Sequence, residues 1–194
     1  EKHLLSQLVH IETEDGQLTD SELLMFCRLL LIAGNETTTG LISACVRIFH
    51  ELPWTFSHLK GNPESIESFV EETLRYYAPF QMTIRRTTRN VEIAGTEISK
   101  GEIVLPLIAS ANRDEQIFTD ADQFEIERDP NPHLAFGFGI HNCLGAPLAR
   151  LEAQIAVASL LEHLDEISLV EHDPELLSRF GGPAELAVNI RRAT

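Results

Sequence analysis

The chain has 194 residues, 43% hydrophobic and 23% charged, which is enough for one globular domain with a sizeable core and too apolar for a disordered segment. Its formal net charge is −15, from 15 basic against 30 acidic residues, a surface that repels phosphate backbones and anionic lipid. The expectation is a cytoplasmic protein with neither nucleic acid nor a membrane among its partners.

Residues 1–13 read as a helix ending at the turn Asp15-Gly16, and 1–194 as a single unit. The opening Glu1-Lys2-His3-Leu4-Leu5 carries no initiator methionine and looks like the middle of a helix, so an amino-terminal portion is expected to precede it. Thr19 and Glu22 form a capping-box pattern that starts a long helix, predicted to run to Leu52 and stop at Pro53. Leu23, Phe26, Leu30 and Ala33 recur along it at helical spacing and mark a buried stripe. No long uninterrupted apolar run suggests a bilayer-spanning segment.

Asn62-Pro63 opens a further helix, cap then proline, lasting to about Tyr77. Short β segments follow from Gln81 to Leu105 around turns at Gly95 and Gly101. A short helix is expected over Leu107–Arg113, then an irregular loop from Ile117 to Asn142 containing Pro130, Pro132, Gly137 and Gly139. Pro147 starts a helix to about Leu164 with Leu148, Leu151 and Ile155 on one face, and a strand is expected over Glu185–Arg192. The class is mainly α with small β segments.

Cys27, Cys45 and Cys143 are odd in number and widely spaced, with no Cys-x-x-Cys pair, which points to reduced thiols. Cys27 and Cys45 read as small core residues on the long helix. The histidines show no metal-ligand spacing and read as surface or core residues, His141 excepted.

The segment Phe136-Gly137-Phe138-Gly139-Ile140-His141-Asn142-Cys143-Leu144-Gly145-Ala146-Pro147-Leu148-Ala149-Arg150 carries the most information. Its glycines allow close backbone approach to a flat group. Cys143 sits a few residues before a helix start, where unpaired N–H groups and the helix dipole favour a thiolate without a neighbouring cation. The plainer reading is a buried structural cysteine in a glycine-rich loop. Two further segments gain meaning beside it. Ala33-Gly34-Asn35-Glu36-Thr37-Thr38 places poor helix formers inside the long helix, at roughly 1 kcal/mol for the glycine alone, which suggests a functional distortion or an ordinary bend with an exposed glutamate. Glu72-Thr73-Leu74-Arg75 is an i,i+3 charge pair, a spacing common on any helix.

Residues 136–150 match at every fixed position the haem-binding loop of soluble bacterial cytochromes P-450, and the chain resembles the carboxy-terminal, haem-binding half of that family. The resemblance implies the partial fold of that family and a haem-thiolate monooxygenase domain of which this chain is the later part. It implies haem b (iron protoporphyrin IX) with Cys143 as the axial iron ligand, Phe136 near the sulfur, His141 on a haem propionate, and Gly137 and Gly145 against the porphyrin. Ala33 and Gly34 would clear space for dioxygen, Thr37 would hydrogen-bond it, and Glu36, where many relatives have Asp, would relay protons. Glu72, Arg75 and Arg128 correspond to a structural charge network. Arg85, preferred over Arg86, would bind a propionate by its guanidinium fork. Ala111-Asn112-Arg113-Asp114 matches a recurrent family segment of structural meaning.

The implied activity is insertion of one oxygen atom from dioxygen into an apolar small molecule, with electrons from a ferredoxin- or flavodoxin-type redox partner. Leu30 and the segment Pro79–Ile84 would line what remains of the substrate pocket, and Arg150 would lie on the face where such partners dock. Alternatives are a peroxygenase, which typically lacks the Glu36-Thr37 pair, and a non-catalytic haem or gas-binding module, which has no need of it. A Cys–His hydrolase on Cys143 and His141 lacks a third, orienting residue.

Overall fold

The structure, a computed structural model, describes residues 3–10, 12–13, 16–170 and 187–193. Its contacts divide the chain into two compact units, 1–36 and 37–194. In the first, helix α1 (Leu4–Val9) is followed by a hairpin of β1 (Glu12–Thr13) and β2 (Gly16–Gln17). The helix expected over 1–13 is therefore shorter, because the chain turns back on itself ahead of Gly16, whose φ is +103°. Asp15, at the expected turn, lies outside the described residues.

Helix α2 (Asp20–Glu51) opens on the reciprocal cap that the sequence indicates. The Glu22 N–H donates to Thr19 Oγ1 at 3.3 Å, and Glu22 Oε2 accepts from the Thr19 N–H at 2.9 Å and its hydroxyl at 2.8 Å. Those bonds to Thr19 hold the Glu22 carboxyl below its ordinary range. The helix is α throughout, so the run Ala33–Thr38 does not interrupt it. The stripe expected to be buried is not: Leu23 and Phe26 are half-buried, while Leu30, Ala33 and their neighbours Leu29, Leu31 and Ile32 are exposed. Burial along α2 sets in at Thr38, where the second unit begins to pack around it. By length and composition alone α2, with a mean hydropathy of 1.3 in its most apolar stretch, could cross a membrane, a test that core helices also pass.

In the second unit, α2 supplies Leu41, Cys45, Ile48 and Phe49 at helical spacing to the core. Helix α2 ends at Glu51, just ahead of Pro53, as the sequence indicates, but a further helix that the sequence did not indicate comes next. Leu52 and Pro53 form a tight corner, with the Thr55 N–H and hydroxyl both donating to the Leu52 carbonyl at 2.9 and 2.8 Å, and α3 (Trp54–Gly61) follows at once. Proline is compatible with a helix start, where its missing N–H would be unpaired anyway. A 3-10 turn over Pro63–Ser65 leads into α4 (Ile66–Tyr76). Phe49 stacks on Phe69 of α4 at 5.1 Å and meets Phe56 of α3 edge-on at 5.1 Å. Each such fully buried aromatic contributes roughly 1.5–3 kcal/mol.

The β segments are two antiparallel pairs: β3 (Arg85–Arg86) with β6 (Ile103–Val104), and β4 (Val91–Ile93) with β5 (Thr96–Ile98). Ala94 (φ +49°) and Gly95 (φ +79°) form the two-residue turn of the second pair, the left-handed conformation that a tight hairpin needs. A short α5 (Ile108–Ala111) precedes the long irregular stretch, which holds a cis Asp129–Pro130 bond. Helix α6 (Ala146–His163) buries Ala153, Val157 and Leu161, whereas the Leu148, Leu151 and Ile155 face points outward. Strand β7 (Leu164–Leu169) pairs antiparallel with β8 (Val188–Arg192), the described part of the strand expected over Glu185–Arg192. The mainly α architecture with small β pairs stands as expected.

Candidate active site

The cysteine loop lies wholly in the second unit and is built by backbone geometry. Gly137 (φ +73°) and Gly139 (φ +69°) turn the chain, and a 3-10 turn covers Gly139–His141. A side chain at Gly137 would meet the His141 carbonyl oxygen at 3.3 Å, so both the dihedral and the space call for glycine. The Cys143 N–H donates to the Phe136 carbonyl at 2.8 Å and closes the loop, and the Cys143 carbonyl accepts from the Ala146 N–H at the start of α6 at 3.3 Å. The sulfur is 3.9 Å from where a Cβ on Gly145 would stand.

Cys143 is exposed, which removes the reading of a buried structural cysteine. Beside it in the loop Phe138, Ile140 and Leu144 are 86%, 98% and 89% exposed. An accessible sulfur ringed by large apolar side chains fits a flat apolar ligand with a metal at its centre better than it fits water. Among the described residues there is no group of three or more His, Cys, Asp or Glu able to hold a bare metal ion.

Two ion networks anchor this loop and the stretch leading to it. In the first, Glu72 and Arg75 of α4 are both 0% exposed and paired twice, at 2.8 and 2.7 Å. Arg75 also donates to the carbonyls of Asn112, Ala121 and Gln123. Glu72 accepts from Arg128 Nε at 3.2 Å, from the Glu125 N–H at 2.9 Å and from Asn131 Nδ2 at 3.2 Å, and Arg128 donates onward to the Thr119 carbonyl at 2.6 Å. The buried charges are thus paired and hydrogen-bonded on every side, which offsets the cost of removing them from water. Asn112, in the segment expected to matter structurally, is fully buried and accepts the Leu134 N–H at 2.7 Å just ahead of the cysteine loop.

The second network was not foreseen. Glu71 accepts from Arg150 Nε and an NH2 group at 2.7 and 2.9 Å, and His133 Nε2 lies 3.1 Å from the same carboxylate. Burial alone would raise the Glu71 pKa, but the bonds from His133 and Arg150 overcome it and hold the carboxyl at about 2. Arg150 sits 4.5 Å over the Phe136 ring, and its bonds to Glu71 raise its pKa above the ordinary value. Arg150, expected on the face where redox partners dock, is engaged by Glu71 and Phe136.

The loop thus gathers Phe136, Gly137, His141, Cys143 and Gly145. Arg85 is exposed in β3 and donates to Thr83 Oγ1 at 2.8 Å and the Ile84 carbonyl at 2.9 Å, while Arg86 donates to the Gly101 carbonyl at 2.7 Å. Ala33, Gly34 and Glu36 belong to the first unit and are exposed, and Thr37, half-buried, opens the second.

The family model for cytochrome P-450 matches residues 64–181. The chain is 48% identical over 173 residues to cytochrome P-450 109 of Bacillus spizizenii, covering 89% of this chain and 43% of that protein. It is 46% identical over 168 residues to the biotin biosynthesis cytochrome P-450 of Bacillus subtilis, covering 87% and 42%. Among solved structures it resembles a cytochrome P-450 from Chondromyces apiculatus, with TM-score 0.91, 42% identity and coverage of 100% of this chain and 50% of that one. It also resembles one from Bacillus megaterium in complex with testosterone, with TM-score 0.87, 41% identity and coverage of 97% and 53%. The chain spans less than half the length of these two curated relatives.

Proposed function

This chain belongs to the cytochrome P-450 family, and from that premise we propose that it is the haem-binding part of a monooxygenase that inserts one atom of dioxygen into an apolar small molecule. The observation that carries the reading is the exposed Cys143 in a glycine-turned loop flanked by Phe138, Ile140 and Leu144. The family's cofactor is haem b, and these residues fit it: Cys143 would supply the thiolate ligand to its iron, Gly137 and Gly145 would allow close approach, and the Phe136 carbonyl closes the loop on the Cys143 N–H. When bound, the haem supplies redox iron whose thiolate ligand donates electron density and favours O–O cleavage.

The remaining roles fall to the chain's own side chains. His141 and Arg85 would hold the propionates, Arg85 through an exposed guanidinium fork that donates to Thr83 and the Ile84 carbonyl in this structure. Ala33 and Gly34 are the small residues that would make room for dioxygen. Thr37 positions a proton at its hydroxyl, and the exposed Glu36 carboxylate passes protons to it through water. Exposed Phe80, Met82 and Ile84 supply an apolar wall, in keeping with an apolar substrate. Electrons come from a ferredoxin- or flavodoxin-type partner, the whole domain continues beyond residues 1–194, and the protein works in the cytoplasm.

The test is turnover of the whole protein with dioxygen, reductant and a surrogate redox partner against a panel of apolar substrates. Oxygenated product is expected, and Thr37→Ala should consume reductant while releasing peroxide. Product formed only when hydrogen peroxide is supplied would favour the peroxygenase, and haem loading without any turnover would favour the gas-binding module.

A further inference from the structure

The Glu71, His133 and Arg150 cluster is not explained by iron ligation, by proton delivery or by the Glu72 network. Its geometry runs to the cysteine in two steps. Glu71 grips the Arg150 guanidinium by two bonds of 2.7 and 2.9 Å, the fork geometry that fixes orientation as well as position. Arg150 covers the Phe136 ring at 4.5 Å, and the Phe136 carbonyl receives the Cys143 N–H at 2.8 Å. His133, its side chain 4% exposed, lies 3.1 Å from Glu71 Oε2, the oxygen that also accepts from an Arg150 NH2 group, and precedes Phe136 in the same stretch of chain. Glu71 therefore touches the cysteine loop through α6 and through the loop's own approach, and would touch neither iron nor substrate.

Electrostatics adds a second consequence. Arg150 lies over the Phe136 ring, whose carbonyl accepts the Cys143 N–H, and Glu71 is the carboxylate hydrogen-bonded to that guanidinium. A cation beside a thiolate withdraws electron density from it, and a paired cation does so less.

We propose that Glu71 is a positioning residue for the iron-ligating loop: it seats Arg150 on Phe136 and offsets the guanidinium charge felt at Cys143, and so sets how strongly the sulfur donates to iron. The inference rests on the haem-thiolate reading and adds to it a residue that tunes the ligand.

The experiment uses the full-length haem-loaded protein and measures the ferric–ferrous reduction potential and the ferrous carbon monoxide spectrum. Glu71→Gln keeps the shape and removes the charge, and is expected to raise the potential severalfold in equilibrium terms, where a tenfold change is about 59 mV for one electron. Glu71→Asp should restore most of the wild-type value. Adding Arg150→Gln to Glu71→Gln should bring the potential back toward wild type, because the unpaired charge is then gone. If Glu71→Gln does not retain haem, the potential is read in Arg150→Lys, which keeps the charge and loses the fork; a potential unmoved there overturns the proposal. A folded, haem-loaded Glu71→Gln with lowered stability but unchanged potential also overturns it, leaving Glu71 a merely structural anchor. A wild-type protein without a thiolate spectrum would instead sink the haem-thiolate reading itself.

Discussion

Glu71 and Glu72 are neighbours on α4, yet their carboxylates serve different parts of the chain: Glu72 holds Arg75, Arg128 and the stretch 119–131, and Glu71 holds Arg150 and His133 on either side of the cysteine loop. Successive helix positions point about 100° apart, which lets one turn of helix anchor both.

The Glu72 network is the larger thermodynamic commitment. Replacing Glu72 by Gln or Ala leaves Arg75, which is fully buried, and Arg128 without their counter-charge. Breaking a buried pair on one side costs about 3–5 kcal/mol. Chemical denaturation should show that loss, together with poor haem retention; a variant within 1 kcal/mol of wild type, about a fivefold change in the folding constant, would contradict it.

Glu71 gives a pH signature. Its folded pKa, about 2, lies below the ordinary 4.5, so the folded state holds the ionised form. Its stabilisation is fully present above pH 4.5 and is lost as pH falls from there toward 2. Denaturant midpoints of wild type and Glu71→Gln should therefore differ by a constant amount at neutral pH and converge below pH 4.5. A gap that widens on acidification contradicts the assignment.

Gly137 and Gly139 have nearly the same positive φ but different surroundings. An alanine at either position meets a left-handed backbone, a cost of roughly 1–2 kcal/mol. Only at Gly137 does the new methyl also press on a carbonyl, that of His141 at 3.3 Å. Gly137→Ala should therefore lower melting temperature and haem content more than Gly139→Ala, and equal effects would mean that the close contact is unimportant.

Cys45 is fully buried, and burial pushes its thiol up to about 12, against a partial offset from Thr73. Alkylation of the native haem-free protein at mildly alkaline pH, read by mass spectrometry, should label the exposed Cys143 and spare Cys45 until unfolding. Haem should then protect Cys143. Early labelling of Cys45 would contradict its place in the core.

What could be read from the sequence was local or motif-bound. The Thr19–Glu22 cap, the Ala94-Gly95 region as a turn and the Gly137–Cys143 loop declare themselves within a few residues, because backbone chemistry decides them. The Glu71 clamp did not, since its partners lie 62 and 79 residues away and neither His133 nor Arg150 has a spacing that announces it. The apolar stripe Leu23 to Ala33 misled in another way. Periodicity reports that a face is apolar, but not what covers it, and in this chain that face is largely exposed. Pro53 marked the stop of α2 correctly and hid the start of α3, because proline ends one helix and starts the next equally well, and only two residues separate the two.

The central claim is that the Cys143 thiolate ligates haem iron. Its most direct test is the optical spectrum of the ferrous, carbon monoxide-bound, full-length protein beside Cys143→Ser. A strongly red-shifted Soret band in the wild type that vanishes in Cys143→Ser is the expected result. A wild-type spectrum typical of histidine ligation, or a red-shifted band that persists in Cys143→Ser, would contradict it.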